Sequence, residues 1–470
     1  MSEGSSIVAE TRPNIVVLVA DDHQYRSIGT NGGGEVSTPN LDALGGRGTV
    51  FDRAYCQGGM HGAVCIPSRA SLMTGRNIFA SSADPTGRDH RQSLTIPADL
   101  PTFPQLLREA GYRTHAVGKW HNDVATFSRS FAAGECLMFG GMSDHDAVPV
   151  RPFDPDGVYP KEGIERGDAF STDLFADAAV GFLERHDGVE PFCLYVAFTA
   201  PHDPRTPPEA WRYEPGAVSL PPNILPVHPF DNGEMTVRDE RLEAWPREPD
   251  AVRQHIADYY SMVSHLDDRV GDILRTLEAR NMTDGTVVIY TADHGLALGQ
   301  HGLMGKQNLY DHSIHVPLMM AGPGIASGQR VPELVWHGDT TATLLELSGV
   351  APEFASDGIS LVPALRGESL PDSRRYLGAA YRFAQRSVQD GRWKLIRYRT
   401  NPDYQPGGEQ TMGSDTTQLF DLQNDPWERV SLAWEPGMSE VRARLEGALE
   451  GWQVEVGDPA RVASHDRITA

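Results

Sequence analysis

The chain has 470 residues, 40% of them hydrophobic and 22% charged, and a net charge of −23. That length and composition suit a globular protein with a large core and more than one domain. The negative charge opposes non-specific nucleic-acid binding and docking on anionic membranes, and no apolar run approaches the ~20 residues that span a bilayer.

Residues 1–14 are polar and lack the charged, apolar and small-residue order of a signal peptide, so a cytoplasmic location is expected. Four cysteines, Cys56, Cys65, Cys136 and Cys193, are too few in so long a chain for a disulfide framework. Residues 14–20 (Asn-Ile-Val-Val-Leu-Val-Ala) form a continuous run rich in β-branched side chains. Continuous rather than alternating apolar character predicts a strand covered on both faces, as in a parallel sheet. The run ends in Asp21-Asp22-His23. Thr38 is the predicted cap of a helix that starts at Pro39 and runs to about Gly45. Residues 49–54 read as a short strand.

The next stretch is Val64-Cys65-Ile66-Pro67-Ser68-Arg69, continuing to Thr74-Gly75-Arg76. Pro67 suits the first helical position, where its missing N–H has no partner to lose. About two turns then follow before Gly75 stops them. Cys65 is placed near a positive helix end, with Arg69 one turn inside, where an anion is held and a nucleophile activated. A buried structural cysteine is the competing reading.

Residues 102–109 predict a helix closed by Gly111, and residues 112–117 a strand that ends in Gly118-Lys119-Trp120-His121. Residues 123–168 show poor periodicity and read as loops over a pocket, in which Asp144, His145 and Asp146 either meet substrate or are solvated loop residues. A helix over 173–185 and a buried strand over 191–199 follow, the strand delivering Ala200-Pro201-His202. Residues 203–249 are Pro-rich and irregular, long enough for a functional excursion.

Val252, Ile256, Tyr259, Val263, Leu266, Val270, Ile273 and Leu277 recur at spacings of four and three. They make one apolar stripe on a long helix lying on the sheet. Residues 286–291 are a buried strand ending in Ala292-Asp293-His294-Gly295. A strand over 316–321 and a helix over 340–347 complete this part. Composition shifts over 349–375, which sets a division into an N-terminal catalytic domain (1–370) and a C-terminal subdomain (371–470). In the latter, residues 376–384, 393–399 and 418–422 read as antiparallel strands and 438–452 as a final helix. Residues 457–470 read as a tail or an oligomer contact. The fold class is α/β, with a large, mostly parallel central sheet flanked by helices and a smaller C-terminal α+β unit. No internal repeat is present.

Polar groups therefore follow four strand ends: Asp21 and Asp22, Lys119 and His121, His202, and Asp293 with His294. Lys306 lies beyond them in a Gly-rich loop. In a parallel sheet these ends share one edge, where ligands gather. Three carboxylates and an imidazole make a divalent site. Hard oxygen ligands favour Ca²⁺ or Mg²⁺, and one nitrogen leaves Mn²⁺ open. Arg69, Lys119 and Lys306 add fixed positive charge, which suits a sulfate or phosphate that gains charge during group transfer. No cysteine–histidine pair with an oxyanion hole is evident.

The segment Cys65-Ile66-Pro67-Ser68-Arg69 with Thr74-Gly75-Arg76 resembles the signature of the type I, formylglycine-dependent sulfatases of the alkaline-phosphatase-like superfamily. Asn14 to Asp22, Gly111-Tyr112-Arg113-Thr114, Gly118-Lys119-Trp120-His121, Pro201-His202, Asp293-His294-Gly295 and Gly322-Pro323-Gly324 are similar to the same family. So are Trp393-Lys394-Leu395-Ile396 and the run from Leu419 to Pro426. The resemblance implies that Cys65 is oxidised to formylglycine by a maturation enzyme. It implies that Asp21, Asp22, Asp293, His294 and residue 65 hold one divalent ion, calcium first. Arg69 and Lys119 would steady the hydrated aldehyde, and His121 would be the base that expels sulfate. His202 and Lys306 would contact the sulfate and serve the leaving oxygen.

Two positions depart from the family pattern. His294 stands where many members have Asn, as in the choline-sulfatase and phosphonate monoester hydrolase branch. Asn122-Asp123 follow His121 where Leu-Gly is usual. The expected activity is hydrolysis of small sulfate esters (aryl, alkyl or carbohydrate). Phosphonate monoester or phosphodiester hydrolysis on the same scaffold is the alternative, and an unmodified anion- or metal-binding protein the third reading. Neither nucleic acid nor membrane is an expected partner, and a homo-oligomer is left open.

Overall fold

The computed structural model describes residues 12–89, 91–350, 356–401, 404–408 and 410–460. Most of the polar N-terminal stretch, Pro352 in the region of changed composition, and residues 461–470 of the tail lie outside the described residues. Among the described residues no helix is long and apolar enough to cross a membrane.

The strands in chain order are β1 (Asn14–Ala20), β2 (Thr49–Tyr55), β3 (Gly58–Gly59), β4 (Arg113–Lys119), β5 (Ala133–Met138), β6 (Pro149–Val150), β7 (Glu165–Arg166), β8 (Phe192–Ala197), β9 (Thr286–Ala292), β10 (Leu318–Ala321), β11 (Gln329–Trp336), β12 (Leu377–Tyr381), β13 (Gln385–Gln389), β14 (Trp393–Tyr398) and β15 (Thr416–Asp421). Eight of them form the main sheet in the order β11-β2-β10-β9-β1-β8-β4-β5. β1 pairs in parallel with β8 and β9, and β4 in parallel with β8 and β5. β10 runs antiparallel to both β9 and β2, so β2 points the same way as β9. The carboxyl ends of β1, β2, β4, β8 and β9 therefore share one edge.

β1 sits at the centre, and Ile15 to Ala20 are buried. Its β-branched side chains pack on both faces, as a continuous apolar run requires. The apolar stripe of the long helix Pro249–Ala279 is buried along its length, from Val252 to Leu277. The second sheet has the order β15-β14-β13-β12-β3, antiparallel apart from the parallel β12–β3 pair. Its strand β3 comes from the segment just before Cys65, so the backbone leading to that residue is hydrogen-bonded to the second sheet. Buried Lys394 of β14 ties this sheet to the main body through Asp311 Oδ1 at 2.7 Å and Glu428 Oε1 at 2.8 Å.

Several local expectations differ from the structure. The Thr38 hydroxyl does not cap its helix, Pro39–Gly46. It accepts the Gly29 N–H at 2.8 Å, a tertiary partner that competes with the local one. The helix after β3 spans Cys65–Thr74, so it starts at Cys65 and Pro67 is its third residue. A proline is tolerated there because first-turn N–H groups have no intrahelical partner. Gly75 ends it at φ 68, as expected. Residues 123–168 are not all loop: they hold the helix Val124–Ser130 and β5. β5 is a half-exposed edge strand carrying Gly134 and Glu135, which hides its apolar pattern. β11 also escapes the sequence reading, since Arg330, Pro332 and Glu333 interrupt it. It is the other edge strand, where proline is allowed, and its register shifts between Val331 and Leu334. Residues 376–384 split into β12 and a turn into β13, with Arg382 at φ 41.

Candidate active site

The common sheet edge gathers the predicted residues into one cluster. Asp21 and Asp22 leave β1, His202 follows β8, Asp293 and His294 leave β9, and Lys119 closes β4. Cys65 enters on the first turn of its helix, 1% exposed. Its Sγ lies 3.2 Å from His294 Nε2 and 3.6 Å from both Asp21 Oδ1 and Lys306 Nζ. The resemblance puts residue 65 and His294 at one ion, and the structure sets the two side by side. The contact joins a helix start to a distant strand end, which spacing does not reveal.

The charges interlock. The Lys119 ammonium contacts Asp21 Oδ2 and donates to the Gly141 carbonyl at 2.6 Å. Arg69 donates from Nε to Asp293 Oδ2 at 2.9 Å and from Nη1 to the Lys119 carbonyl at 3.2 Å. Lys306 Nζ lies 2.9 Å from Asp22 Oδ1, and His294 Nδ1 lies 3.0 Å from the same oxygen. His202 Nε2 is 3.7 Å from Asp22 Oδ2, and its Nδ1 donates to the Asp203 carbonyl at 2.7 Å. Removing one partner from a buried ion pair of this kind costs about 3–5 kcal/mol, because the other charge is left without compensation.

At Asp22, Asp293, His294 and Lys306 burial works against the ion, and the neighbouring charges overrule it. Lys306 holds Asp22 well below the usual carboxylate range, and His294 and Arg69 do the same for Asp293. Burial pushes His294 and Lys306 down, yet Asp293 raises the imidazole and Asp22 raises the ammonium well above their ordinary values. His121 moves the other way. Loss of solvent and the Lys119 ammonium hold it well below the usual imidazole value. Its Nδ1 has no hydrogen-bond partner among the described residues. Asp22 at φ 65 and His121 at φ 57 both sit in the left-handed region, a strain that side chains other than glycine adopt where their surroundings enforce it.

The donor set fits a divalent cation. Ligand atoms of Asp21, Cys65, Asp293 and His294 all lie within 4.8 Å of one another, as do those of Asp21, Asp22 and His202. Carboxylate oxygens with one imidazole nitrogen are compatible with Ca²⁺, Mg²⁺ or Mn²⁺.

Some supporting residues carry no legible signal in the sequence. Tyr259 reads only as part of an apolar stripe, yet its hydroxyl donates to the Asp22 carbonyl at 2.7 Å and accepts the Gln24 N–H at 2.8 Å. Ser68 Oγ donates to the Asp293 carbonyl and lies 3.1 Å from His337 Nδ1. His145 and Asp123 are engaged within the protein. His145 is buried and bonded to protein groups, whereas Asp144 and Asp146 are exposed. Asp123 caps the helix Val124–Ser130, its Oδ1 accepting the Thr126 N–H at 2.7 Å. Asn122 Nδ2 lies 3.5 Å from the Ile66 carbonyl on the Cys65 helix. The unusual Asn-Asp pair thus starts a helix.

Comparison with known proteins agrees with this arrangement. The family profile described as Sulfatase matches residues 13–350, and one described as N-sulphoglucosamine sulphohydrolase, C-terminal, matches residues 299–455. The choline-sulfatase of Rhizobium meliloti (strain 1021) is 28% identical, over 96% of this chain and 88% of that protein. The N-acetylglucosamine-6-O-sulfatase of Bacteroides thetaiotaomicron is 25% identical, over 95% of this chain and 87% of that one. A solved complex of a protein with its substrate D-glucosamine-2-N,6-O-disulfate superposes with a TM-score of 0.76 at 24% identity, covering 95% of this chain and 99% of the other. The phosphonate monoester hydrolase of Agrobacterium radiobacter shares the fold with a TM-score of 0.71 at 21% identity, covering 95% and 96%. With the profile spanning most of the main sheet and the charged cluster at its edge, the chain belongs to the sulfatase family, enzymes that hydrolyse sulfate esters on an alkaline-phosphatase-like fold.

Proposed function

We propose that the chain works through residue 65 oxidised from cysteine to formylglycine, beside one divalent cation held by Asp21, Asp22, Asp293 and His294. The observation that carries this reading is the place of Cys65 Sγ, within 3.6 Å of Asp21, His294 and Lys306 together. A side chain there sits among hard ligands and fixed cations, the surroundings of a tetrahedral oxyanion. The sulfatase family generally uses a metal ion and a formylglycine, and both are compatible with this donor set. When present, the hydrated aldehyde offers one hydroxyl to attack sulfur and a second whose deprotonation frees sulfate, while the cation stabilises charge growing on the sulfate oxygens.

The chain's own side chains do the rest. Arg69 fixes Asp293 and the end of β4 with one guanidinium. Lys119, between Asp21 and the Gly141 carbonyl, presents a positive charge of fixed position. His121, held well below its ordinary value by burial and by Lys119, offers an unprotonated ring with no hydrogen-bond partner at Nδ1 among the described residues, and is the proposed base. His202 keeps its Nδ1 proton on the Asp203 carbonyl, so its Nε2 faces the site and serves the leaving oxygen. Lys306, kept charged by Asp22, holds the sulfate. The substrate class is a small sulfated molecule or sulfated carbohydrate, the range spanned by the names of the relatives. A formylglycine-generating enzyme is the implied partner in maturation.

Rates on an aryl sulfate and an aryl phosphonate monoester, measured side by side on protein matured in the presence of that enzyme, test this reading. A clear preference for the sulfate ester supports it. A preference for the phosphonate would move the chain to the alternative that His294 in place of Asn favours.

A further inference from the structure

One short segment touches both candidate catalytic imidazoles. It follows β5 and runs from Phe139 to His145. At Gly141 the carbonyl accepts the Lys119 ammonium at 2.6 Å. A Cβ placed on Gly141 would lie 2.6 Å from both Cε1 and Nε2 of His121, closer than real Cβ atoms come. The His121 ring therefore fills the space a side chain would take. Gly141 itself is outside the left-handed region, so the close approach, not the backbone, calls for glycine here.

Four residues later the same segment meets His202. His145 Nε2 lies 2.9 Å from the His202 carbonyl, and its Nδ1 lies 2.6 Å from Ser171 Oγ. A carbonyl only accepts, so Nε2 carries the proton and Nδ1 accepts from Ser171. The Ser171 oxygen in turn accepts from Thr199 Oγ1 at 2.8 Å. The chain Thr199 to Ser171 to His145 to the His202 carbonyl is complete, with one direction of donation throughout. Burial keeps the His145 imidazole neutral, its pKa pushed down to about 4. The ring also stacks on Phe170, with centroids 5.0 Å apart. The residue is 1% exposed.

We infer that Gly141 and His145 are positioning residues: the 139–145 segment sets the His121 ring and the Lys119 ammonium at one end and the main chain of His202 at the other. The inference rests on the reading of those three residues as the groups that handle protons and the sulfate. Misplacement of reacting groups by about 1 Å can cost on the order of a hundredfold in rate, so small shifts at residues 141 and 145 are expected to reach kcat.

The test compares the wild type with G141A, H145L and H145Q on an aryl sulfate, with crystal structures of each. G141A and H145L are expected to lose roughly tenfold or more in kcat, with KM changed much less, because orientation and not binding is disturbed. H145Q, whose amide N–H can replace Nε2–H toward the His202 carbonyl, is expected to regain most of the loss. In the structures, the His121 ring moves in G141A and the His202 main chain moves in H145L. Wild-type kcat in G141A and H145L, or H145Q as impaired as H145L, overturns the inference. Should the wild type hydrolyse no sulfate ester, the reading of the site fails by itself. The positions of His121 and His202 in the variant structures then decide the inference, displaced rings supporting it and unmoved rings overturning it.

Discussion

The hydroxyl of Tyr259, on the long helix, donates at 2.7 Å to the carbonyl of Asp22, a proposed metal ligand held at φ 65. The same oxygen accepts the Gln24 N–H at 2.8 Å, so a single side chain satisfies both backbone groups of a strained turn at the sheet edge.

Y259F removes that oxygen and leaves two buried backbone groups unpaired. A loss of about 2–6 kcal/mol in stability is expected, since each buried unsatisfied group costs roughly 1–3 kcal/mol. Because Asp22 is the residue released, kcat should fall as well. Denaturant unfolding together with steady-state kinetics checks both. A variant as stable and as active as the wild type would show that the turn holds without the helix.

Chelation followed by metal analysis tests the cation. Activity is expected to drop at least about a hundredfold on removal, because a bound cation supplies several kcal/mol of transition-state stabilisation. Tm should fall too, as a ligand that binds only the folded state stabilises it. Returning Ca²⁺, Mg²⁺ or Mn²⁺ singly then identifies the ion by which one restores both. Full activity in protein shown to be free of metal contradicts the assignment.

Glu240 predicts a pH dependence of stability. Burial pushes its carboxyl up from 4.5 to about 7, against the opposing pull of Arg247 and of the Met304 and Gly305 N–H groups. A raised folded-state pKa means that the fold binds this proton more tightly than the unfolded chain does. Its contribution is complete below about pH 4.5, near the usual unfolded value, and is lost as pH rises through 7. E240Q keeps an acceptor for the same donors and cannot ionise. The wild type should lose stability relative to E240Q across that window, seen as converging or crossing Tm curves. Parallel curves would falsify the assignment.

Asp123 separates a cap from a pocket wall. Its Oδ1 accepts the Thr126 N–H at 2.7 Å and its Oδ2 the Ile96 N–H at 3.1 Å. D123A is expected to lose about 1–2 kcal/mol of stability, the range for a lost helix cap, with kcat unchanged. A large fall in kcat with Tm intact would place Asp123 in the pocket instead.

Strand β1 and the polar ends after β1, β8 and β9 are legible because buried parallel strands are written as continuous apolar runs that stop abruptly at polar residues. Cys65 and Arg69 are legible through local helix chemistry, although the helix starts two residues earlier than Pro67 suggests. Edge strands β5 and β11 are hidden, since half-exposed strands carry Gly, Pro and charges that break the pattern. The supporting contacts are illegible for a different reason. Tyr259, Ser68, Gly141 and His145 act through a hydroxyl, a carbonyl, a ring N–H or the absence of a side chain, at sequence separations that no local pattern encodes. His145 shows the risk directly: as a loop histidine it suggests substrate contact, whereas packing turns it inward onto the His202 carbonyl.

The central claim is that the residue encoded as cysteine at position 65 acts as an aldehyde. Peptide mass spectrometry across residue 65, on preparations matured to different extents and assayed for sulfate-ester hydrolysis, tests it most directly. The expected result is a peptide whose thiol is replaced by an aldehyde, in a fraction that rises in proportion to kcat. Full sulfatase activity from protein whose residue 65 is an intact thiol would contradict it.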